Sequence, residues 1–281
     1  MKYIHECPEW PHFRYDETKL LRLVAEVRHR QGRLIGKMAG LGFQQRAEAS
    51  LSNLTAEIIK SNAIEGNFLD VDEVRSSIAR RLGMDAGGVA LASRDVEGVV
   101  EMMLDATRGF ASALTRERLF GWHACLFPSG LSGMRKIGVG RWRTPESGPM
   151  QVVSGPIGKE RIHFEAPSAE RLEGEIDAFL KWFCGPAEEP VIRAGIAHFW
   201  FVTIHPFEDG NGRIARAIAE MALAQADGFP ERYYNMSSRI ECERRDYYAV
   251  LERCQKGGLD ITDWLEWFLG CLGRALDDAE K

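Results

Sequence analysis

The chain has 281 residues, 45% of them hydrophobic and 27% charged, and carries a net charge of −5 at pH 7. This length suffices for one large domain or for a domain with a smaller companion. The acidic balance excludes a protein that coats DNA or RNA through a basic surface, but it allows a local basic pocket that binds one small anion.

The six cysteines are scattered and form no Cys-x-x-Cys pair, so no structural zinc site is expected. Free buried thiols are typical of a reducing compartment. The first residues, MKYIHECPEW, lack the apolar core of a signal peptide. No stretch reaches the about 18 apolar residues of a membrane helix. We therefore expect a cytoplasmic protein without membrane contact.

Apolar residues recur at spacings of three and four along most of the chain, which predicts amphipathic helices. The first helix begins near Asp16 or Thr18, either of which could cap it. The second runs from Arg46 and stops at Gly66, a plausible C-terminal cap. The remaining helices are predicted over residues 87–110, 115–127, 168–184, 189–204, 212–228, 245–258 and 261–281.

Residues 138–167 break this pattern. Residues 150–153 and 161–166 are short strand candidates, and the stretch SGPIGKE between them predicts a turn. A single two-stranded hairpin is marginally stable alone, so we expect it to lie over another part of the molecule. A cover for a functional site and a purely structural hairpin are both consistent with the sequence.

The stretch TIHPFEDGNGRIARA, residues 203–217, concentrates polar groups beside an apolar segment. The proline after His205 disfavours helical geometry there, so His205 should lie just past the end of the preceding helix. Gly210 and Gly212 permit positive φ, and Asn211 tolerates it. Successive N–H groups in such a turn can form an anion-binding nest.

A new helix is expected directly after this turn, with its free N–H groups and positive dipole end facing the nest. Arg213 and Arg216 are three residues apart, so they project from one face, and guanidinium groups grip phosphate oxygens. Asp209 adds a carboxylate, which beside phosphate suggests Mg²⁺. His205 titrates in the range of a general base.

Each of these residues alone has an ordinary explanation, such as a turn or surface ion pairs that contribute little. Their coincidence within one short stretch favours a phosphate site. The sequence contains no Walker A motif, dinucleotide-binding fingerprint or kinase signature. We therefore predict binding of nucleotide phosphates together with deprotonation of an attacking hydroxyl.

The segment HPFEDGNGRIAR, residues 205–216, matches the Fic motif His-Pro-Phe-x-Asp/Glu-Gly-Asn-Gly/Lys-Arg-x-x-Arg/Gly at every position. The chain thus resembles the Fic family. The resemblance implies an all-α fold: a Fic core with a short β-hairpin flap over residues 86–281, and a preceding N-terminal helical region over residues 1–85. Most Fic proteins transfer AMP from ATP to a Ser, Thr or Tyr hydroxyl of a target protein. A homodimer is also possible.

The resemblance implies a role for each motif residue. His205 would be the general base, Phe207 would pack inward, and Asp209 would hold Mg²⁺ between the α- and β-phosphates. The phosphate-binding residues would be Gly210, Asn211 and Gly212 as an anion hole, Arg213 at the β-phosphate and Arg216 at the γ-phosphate.

Two further segments are implied to contact the nucleotide. The flap would line it and pair with an extended target segment by strand addition. A segment after the motif would contact adenine, although an aromatic core on a helix explains that segment equally well. The implied contacts are Val152, Val153, Ser154 and Gly155 in the flap, and Tyr247, Tyr248 and Gln255 after the motif.

The stretch SNAIEGN, residues 61–67, fits the Fic inhibitory pattern Ser/Thr-x-x-x-Glu-Gly/Asn. By composition alone it is a helix end with an ordinary glutamate. The resemblance implies that Ser61 and Glu65 are inhibitory and that Glu65 pairs with Arg216. One guanidinium cannot hold a carboxylate and a γ-phosphate in the same place. The chain thus resembles the class with an N-terminal inhibitory helix.

We therefore predict an autoinhibited protein adenylyltransferase that uses ATP and Mg²⁺, modifies a target protein and itself, and binds no nucleic acid directly. One alternative is a phosphodiesterase that removes AMP from a modified protein, with Glu65 positioning water. Another is a catalytically silent Fic-fold binding or adaptor module, which the complete motif disfavours.

Overall fold

The computed structural model describes residues 3–84, 92–156, 158–186 and 189–281. Those residues are mostly helical, which confirms the predicted all-α class. The α-helices are α1 (Glu17–Ala39), α2 (Phe43–Ile64), α3 (Val71–Arg81), α4 (Arg94–Arg108), α5 (Arg116–Leu126), α6 (Leu172–Phe183), α7 (Pro190–Ile204), α8 (Asn211–Asp227), α9 (Met236–Cys242), α10 (Arg244–Gln255) and α11 (Thr262–Ala279).

Two small antiparallel hairpins complete the described part of the chain. The strands are β1 (Leu131–Ser132), paired with β2 (Arg135–Lys136), and β3 (Gln151–Ser154), paired with β4 (Arg161–Glu165). The second hairpin is the predicted flap. Its Phe164 ring packs edge-on against Tyr3 at 5.2 Å, and Glu165 O accepts a hydrogen bond from His5 Nε2 at 2.8 Å. The flap therefore rests on the N-terminal residues.

Helices α7 and α8 form the centre of the molecule and pack against each other. Small residues on both helices, such as Ala197 and Ala215, are fully buried and let the two backbones approach. Helix α11 crosses α7 at Gly195, where a Cβ would lie only 2.8 Å from a methyl carbon of Leu265. The site described below lies at the junction where α7 ends and α8 begins.

The N-terminal helices pack onto this centre. Helix α1 packs against α11, and α2 packs against α9 and α8. Asp16, one of the two predicted caps, accepts a hydrogen bond from Lys19 N at 3.0 Å and begins α1. Helix α2 ends at Ile64, and Gly66 takes φ +80° just beyond it. The end of α2 is thereby placed beside the start of α8.

The structure contains elements that the sequence analysis did not predict: α3, α9 and the hairpin β1–β2. Helix α9 has seven residues and each strand of that hairpin has two, too few to display a periodic pattern. The predicted helix over 87–110 begins outside the described residues, as does the predicted boundary between residues 85 and 86, which stays a prediction. No described helix has the length and apolarity to cross a lipid bilayer.

Candidate active site

His205 occupies the C-terminal cap of α7 in the left-handed conformation, with φ 51° and ψ 58°. Its N–H donates to Phe201 O at 3.0 Å, and its ring Nδ1 lies 3.1 Å from Val202 O. A carbonyl oxygen only accepts, so Nδ1 carries the proton in this bond. The Nε2 atom of the neutral ring therefore has a free lone pair, as a general base requires.

The surroundings of His205 favour the neutral imidazole. Burial lowers the pKa of His205 most, and the positive charge of Arg143 lowers it further. The hydrogen bond to Val202 O and the carboxylates of Glu65 and Asp209 act in the opposite direction. The pKa is lowered overall, so His205 is unprotonated at neutral pH and able to accept a proton.

Arg143 fixes the backbone around His205. It is 3% exposed, and its Nε donates to His205 O at 2.8 Å while Nη2 donates to Pro167 O at 2.5 Å. Its own N–H donates to Pro206 O at 2.9 Å. Burial lowers its pKa to about 10, so it remains a cation at the C-terminal end of α7, where the helix dipole favours positive charge. No sequence pattern marked this residue.

The loop between α7 and α8 is held from within by Asn211. Its side-chain amide donates to Phe207 O at 2.8 Å, and its Oδ1 accepts from Phe207 N at 2.9 Å. The Phe207 ring is buried and stacks on His123 with centroids 4.1 Å apart, so it packs inward as expected. The Asn211 side chain therefore fixes the shape of the loop, and the backbone N–H groups at the end of the loop are the remaining candidates for binding an anion.

Those N–H groups belong to the first turn of α8. Gly210 caps the helix with φ 82°, and the first helical bond runs from Ile214 N to Gly210 O at 3.0 Å. The N–H groups of Asn211, Gly212 and Arg213 precede it and have no partner within the helix. Such a helix start attracts anions.

The carboxylate of Glu65 lies at this helix start. Glu65 Oε1 is 2.9 Å from Arg216 Nη1, and a Cβ added to Gly212 would collide with the same oxygen. Gly212 therefore has no side chain where Glu65 approaches the backbone. Ser61, one turn earlier on α2, also binds Arg216: its Oγ accepts from Nε at 2.9 Å and its O from Nη2 at 2.7 Å.

Arg213 reaches the same end of α2. Its Nη1 lies 3.5 Å from Asn62 Oδ1, and its guanidinium lies over the Phe127 ring at 5.0 Å. Burial lowers its pKa, but an arginine stays charged in proteins. Both motif arginines thus project towards α2, and both are buried, with exposures of 6% for Arg213 and 2% for Arg216.

Asp209 offers one carboxylate at the mouth of the loop. Its Oδ1 accepts from Gly210 N at 2.5 Å, and its Oδ2 accepts a short hydrogen bond from Ser132 Oγ. Among the described residues no group of three or more His, Cys, Asp or Glu could hold a metal. A single carboxylate fits Mg²⁺, which proteins bind through one or two carboxylates plus substrate phosphates. The sequence analysis missed Ser132 because two-residue strands leave no pattern.

The predicted contacts outside the motif differ in accessibility. In the flap, Val152 is half-buried, Ser154 and Gly155 are exposed, and Val153 is 48% exposed. Of the three predicted contacts on α10, Tyr248 is the accessible one, at 37%. Tyr247 is buried with its hydroxyl 2.9 Å from His198 Nε2, and Gln255 is buried with Nε2 donating to Thr203 Oγ1 at 3.2 Å. Contact of these residues with a nucleotide stays a prediction.

Family profiles and curated relatives agree on the class of this site. Residues 113–223 match the Fic/DOC family, and residues 3–84 match a domain of unknown function, DUF4172. "Protein adenylyltransferase Fic" of Nematostella vectensis is 26% identical over 78% of this chain and 47% of its own length. "Protein adenylyltransferase fic-1" of Caenorhabditis elegans is 28% identical over 70% and 36%. The chain thus spans less than half of these relatives.

Solved structures extend the likeness to the fold. A Fic family protein from Desulfovibrio desulfuricans has a TM-score of 0.65 and 25% identity, and the match covers 92% of this chain and 74% of that one. A Fic domain containing signaling protein from Bacteroides thetaiotaomicron has a TM-score of 0.62 and 21% identity, with coverage of 92% and 96%. Residues 113–223, which contain the whole motif from His205 to Arg216, are therefore similar in sequence and in fold to the Fic/DOC family.

Proposed function

We propose that this chain transfers AMP from ATP to a Ser, Thr or Tyr hydroxyl of a target protein, and that docking of Glu65 on Arg216 restrains the reaction. One observation carries the proposal: the Glu65 carboxylate is held against the first turn of α8 and Arg216. An anion already stands where backbone N–H groups and a buried guanidinium would hold a phosphate.

The motif residues divide the work of transfer. Nε2 of His205 accepts the proton of the target hydroxyl, whose oxygen forms a bond to the α-phosphorus as pyrophosphate leaves. The first turn of α8 orients the phosphates through its N–H groups, and Arg213 and Arg216 stabilise the negative charge of the leaving pyrophosphate. Arg143 holds His205 in position by donating a hydrogen bond to the carbonyl oxygen of His205.

Mg²⁺ would be held by Asp209, and when bound it neutralises phosphate charge. Ser132 would orient the Asp209 carboxylate by its hydrogen bond to Oδ2. Hydrogen-bond partners of a metal-binding carboxylate fix its orientation and increase its affinity for the metal.

Inhibition follows from competition for one guanidinium. Arg216 donates Nε and Nη2 to Ser61, and its Nη1 lies 2.9 Å from Glu65 Oε1. While α2 is docked, a γ-phosphate would therefore meet a guanidinium already engaged on three nitrogens, with a carboxylate standing beside it. A charged side chain with 2% exposure is also poorly hydrated, which makes its partner carboxylate costly to remove. ATP would therefore bind weakly, or in a pose unfit for in-line attack, until Glu65 leaves.

The flap supplies a candidate docking edge for the target. Val153 and Ile162 on its strands are 48% and 40% exposed, and a two-stranded sheet leaves backbone groups free at its edges. An extended target segment could add as a further strand, which selects targets by backbone more than by side chain. All six cysteines are free, in keeping with a cytoplasmic setting for this activity.

A phosphodiesterase that removes AMP from a modified protein is the second candidate. The nearness of Glu65 to the first turn of α8 favours it, since a carboxylate there could position water for attack. The two reactions make opposite demands on Glu65: transfer is released by its removal, whereas hydrolysis requires it. A silent binding module would bind nucleotide and perform neither reaction.

The test incubates wild type, Glu65→Gly, His205→Ala and the double variant Glu65→Gly/His205→Ala with labelled ATP, Mg²⁺ and a cell lysate. Label on lysate proteins should rise with Glu65→Gly and fall by about 10²- to 10⁴-fold in Glu65→Gly/His205→Ala, the usual contribution of a general base. His12→Ala, which changes an exposed histidine, is the matched control and should behave as Glu65→Gly when combined with it.

Absence of label with the Glu65→Gly variant would refute the transfer proposal. Release of AMP from a pre-modified protein by wild type, lost in Glu65→Gly, would establish the phosphodiesterase instead. Nucleotide binding without either reaction would leave the silent module.

A further inference from the structure

A chain of hydrogen bonds outside the motif connects the flap to α10. Ser154 Oγ, at the end of β3, lies 2.5 Å from Nε2 of His163 on β4. The other ring nitrogen of His163, Nδ1, lies 2.6 Å from Oε2 of Glu252 on α10. A hydroxyl, an imidazole and a carboxylate connected in this order form the arrangement that activates a serine as a nucleophile.

The strand register explains how these residues meet. Ser154 pairs with Arg161 and Val152 pairs with Phe164, with a bulge between Val152 and Val153. His163, between Ile162 and Phe164, is therefore the additional residue that forms the bulge on β4, opposite the step from Val152 to Val153. A bulge re-aims a side chain, and this one directs His163 to Ser154 and to α10 together.

The Glu252 carboxylate sets the direction in which protons are donated along these hydrogen bonds. Burial of Glu252 favours the neutral acid, but hydrogen bonds from Lys256, His163 and Arg161 outweigh it and lower its pKa to about 2. The carboxylate is therefore ionised and only accepts. Nδ1 of His163 must donate to it, so Nε2 of the neutral ring accepts the proton of Ser154.

A structural latch between the flap and α10 does not require the serine. Glu252 binds Arg161 at 2.9 Å and His163 at 2.6 Å, and these two contacts tie β4 to α10. The hydroxyl of Ser154 is an additional, exposed member of the chain. It is the hydroxyl of the chain, and its hydrogen bond to His163 polarises its oxygen for attack on a phosphorus centre.

Both elements that carry this chain border the candidate active site. Arg143 binds Pro167 O, two residues after β4, and His205 O with the same guanidinium. Gln255, the last residue of α10, binds Thr203, two residues before His205. Flap and α10 therefore converge beside the general base.

We propose that Ser154 is a site of self-modification that accepts AMP, with His163 as the base for its hydroxyl and Glu252 as the residue that orients His163. The proposal rests on the proposed function, which supplies ATP as the donor of AMP. Ser154 Oγ forms a bond to the α-phosphorus, the bond from that phosphorus to the bridging oxygen breaks, and pyrophosphate leaves. The hydroxyl proton moves to His163 Nε2, and no redox step is involved.

Such a modification would change the flap. AMP on Ser154 places a bulky anion on the last residue of the strand proposed to pair with the target. It also removes the proton that Ser154 donates to His163. We therefore expect the modified chain to label other proteins more slowly than the unmodified chain.

The experiment incubates the Glu65→Gly chain with labelled ATP, Mg²⁺ and a lysate. Mass spectrometry then measures AMP on the Ser154 peptide and on lysate proteins in the same tube. The Ser154 peptide should carry AMP, and His163→Asn and Glu252→Gln should each lower that fraction, relative to lysate label, by about 10²-fold or more for loss of a base. The rate should not depend on protein concentration, because flap and site belong to one chain.

Arg161→Met is the matched control, because it removes a contact of the latch but keeps serine, histidine and carboxylate in place. It should retain Ser154 modification. The opposite outcome is that Arg161→Met lowers the modified fraction of the Ser154 peptide as much as His163→Asn does. In that case the hydrogen bonds among Ser154, His163 and Glu252 only hold the flap on α10, and the proposal fails. Thermal unfolding midpoints of the variants check that each is folded. If His163→Asn is unfolded, His163→Gln takes its place in the comparison.

The possible failures separate the two proposals. Labelled lysate proteins with an unmodified Ser154 peptide would overturn the self-modification site and leave the proposed function intact. No label on any protein would overturn both. A rate proportional to protein concentration would overturn the intramolecular step.

Discussion

Two segments border the junction of α7 and α8, and they are built differently. The end of α2 contributes Ser61 and Glu65 to Arg216, whose side chain is 2% exposed. The flap contributes Arg161 to Glu252, in an ion pair where the Arg161 side chain is 70% exposed. The first contact is desolvated on one side and specific in geometry, whereas the second is open to water.

The difference in burial implies a difference in strength. An exposed ion pair contributes about 0.2–1 kcal/mol, whereas removing one partner of a buried pair costs about 3–5 kcal/mol because a charge is left unpaired. The end of α2 is therefore suited to hold one state firmly, as a brake does. The flap is suited to adjust to different target segments at little cost.

Arg143 connects the segment after the flap, through Pro167 O, to His205 O, so its removal should have the largest effect. With Arg143→Met we expect transfer by the Glu65→Gly chain to fall by about 10²-fold, the usual result of displacing a reacting group by about 1 Å. The positive charge of Arg143 lowers the pKa of His205. Its loss should raise that pKa and move the acidic limb of the pH profile of transfer to higher pH.

Two measurements distinguish this positioning role from a loss of fold. The titration of the His205 ring followed by NMR should shift to higher pH in Arg143→Met, with no activity involved. Arg143→Lys keeps the charge but cannot bind His205 O and Pro167 O in the same fork-like manner. It should preserve the titration while lowering the rate, and an unchanged titration in Arg143→Met would contradict the assignment.

Inhibition by the docked end of α2 should weaken when Ser61 is changed to alanine. Ser61→Ala removes the hydrogen bond that Arg216 donates to Oγ, and a bond to a charged group contributes about 1.5–3 kcal/mol. We expect labelling by an otherwise wild-type chain to rise by about tenfold, and less than with Glu65→Gly. Ser52→Ala, on the exposed face of the same helix, should leave labelling unchanged. Equal labelling by the two serine variants would show that Ser61 does not contribute to the inhibition.

Glu57, two turns before Glu65, should make the anchoring of α2 depend on pH. Burial, with the nearby Glu220 carboxylate, raises its pKa to about 7, and Ser237 N donates to it at 3.0 Å. The folded state thus holds a proton that the unfolded state loses near pH 4.5. The free energy of unfolding should fall by up to about 3 kcal/mol between these values as pH rises.

Glu57→Gln should remove this dependence, because a glutamine does not titrate. Denaturant unfolding at about pH 5 and about pH 8 measures it for both chains, and the difference between the two chains isolates the contribution of the Glu57 carboxyl group. Glu48→Gln, at an exposed position of α2, is the control and should keep the wild-type slope. If the free energy of unfolding of Glu57→Gln depends on pH as strongly as that of wild type, the titrating group is not Glu57.

The sequence predicted the site better than its surroundings. His205 and the α8 start follow from a proline, two glycines and the helix that succeeds them, all local effects. Arg143 and Ser132 act through partners more than sixty residues away in the chain, and no local spacing encodes such contacts. Tyr247 and Gln255 are buried, and their burial depends on tertiary packing that no local spacing encodes; their contact with a nucleotide stays a prediction.

Gly212 offers the smallest and sharpest test of the docked glutamate. In the wild-type chain, Gly212→Ala sets a Cβ against Glu65 Oε1 and should lower the free energy of unfolding. In the Glu65→Gly chain that collision is absent, and the same substitution should raise it by up to about 1 kcal/mol, since alanine favours helix over glycine. Denaturant unfolding of the four chains in a double-mutant cycle measures this change of sign. The same sign in both backgrounds would mean that the Glu65 carboxylate does not rest against the start of α8 in solution.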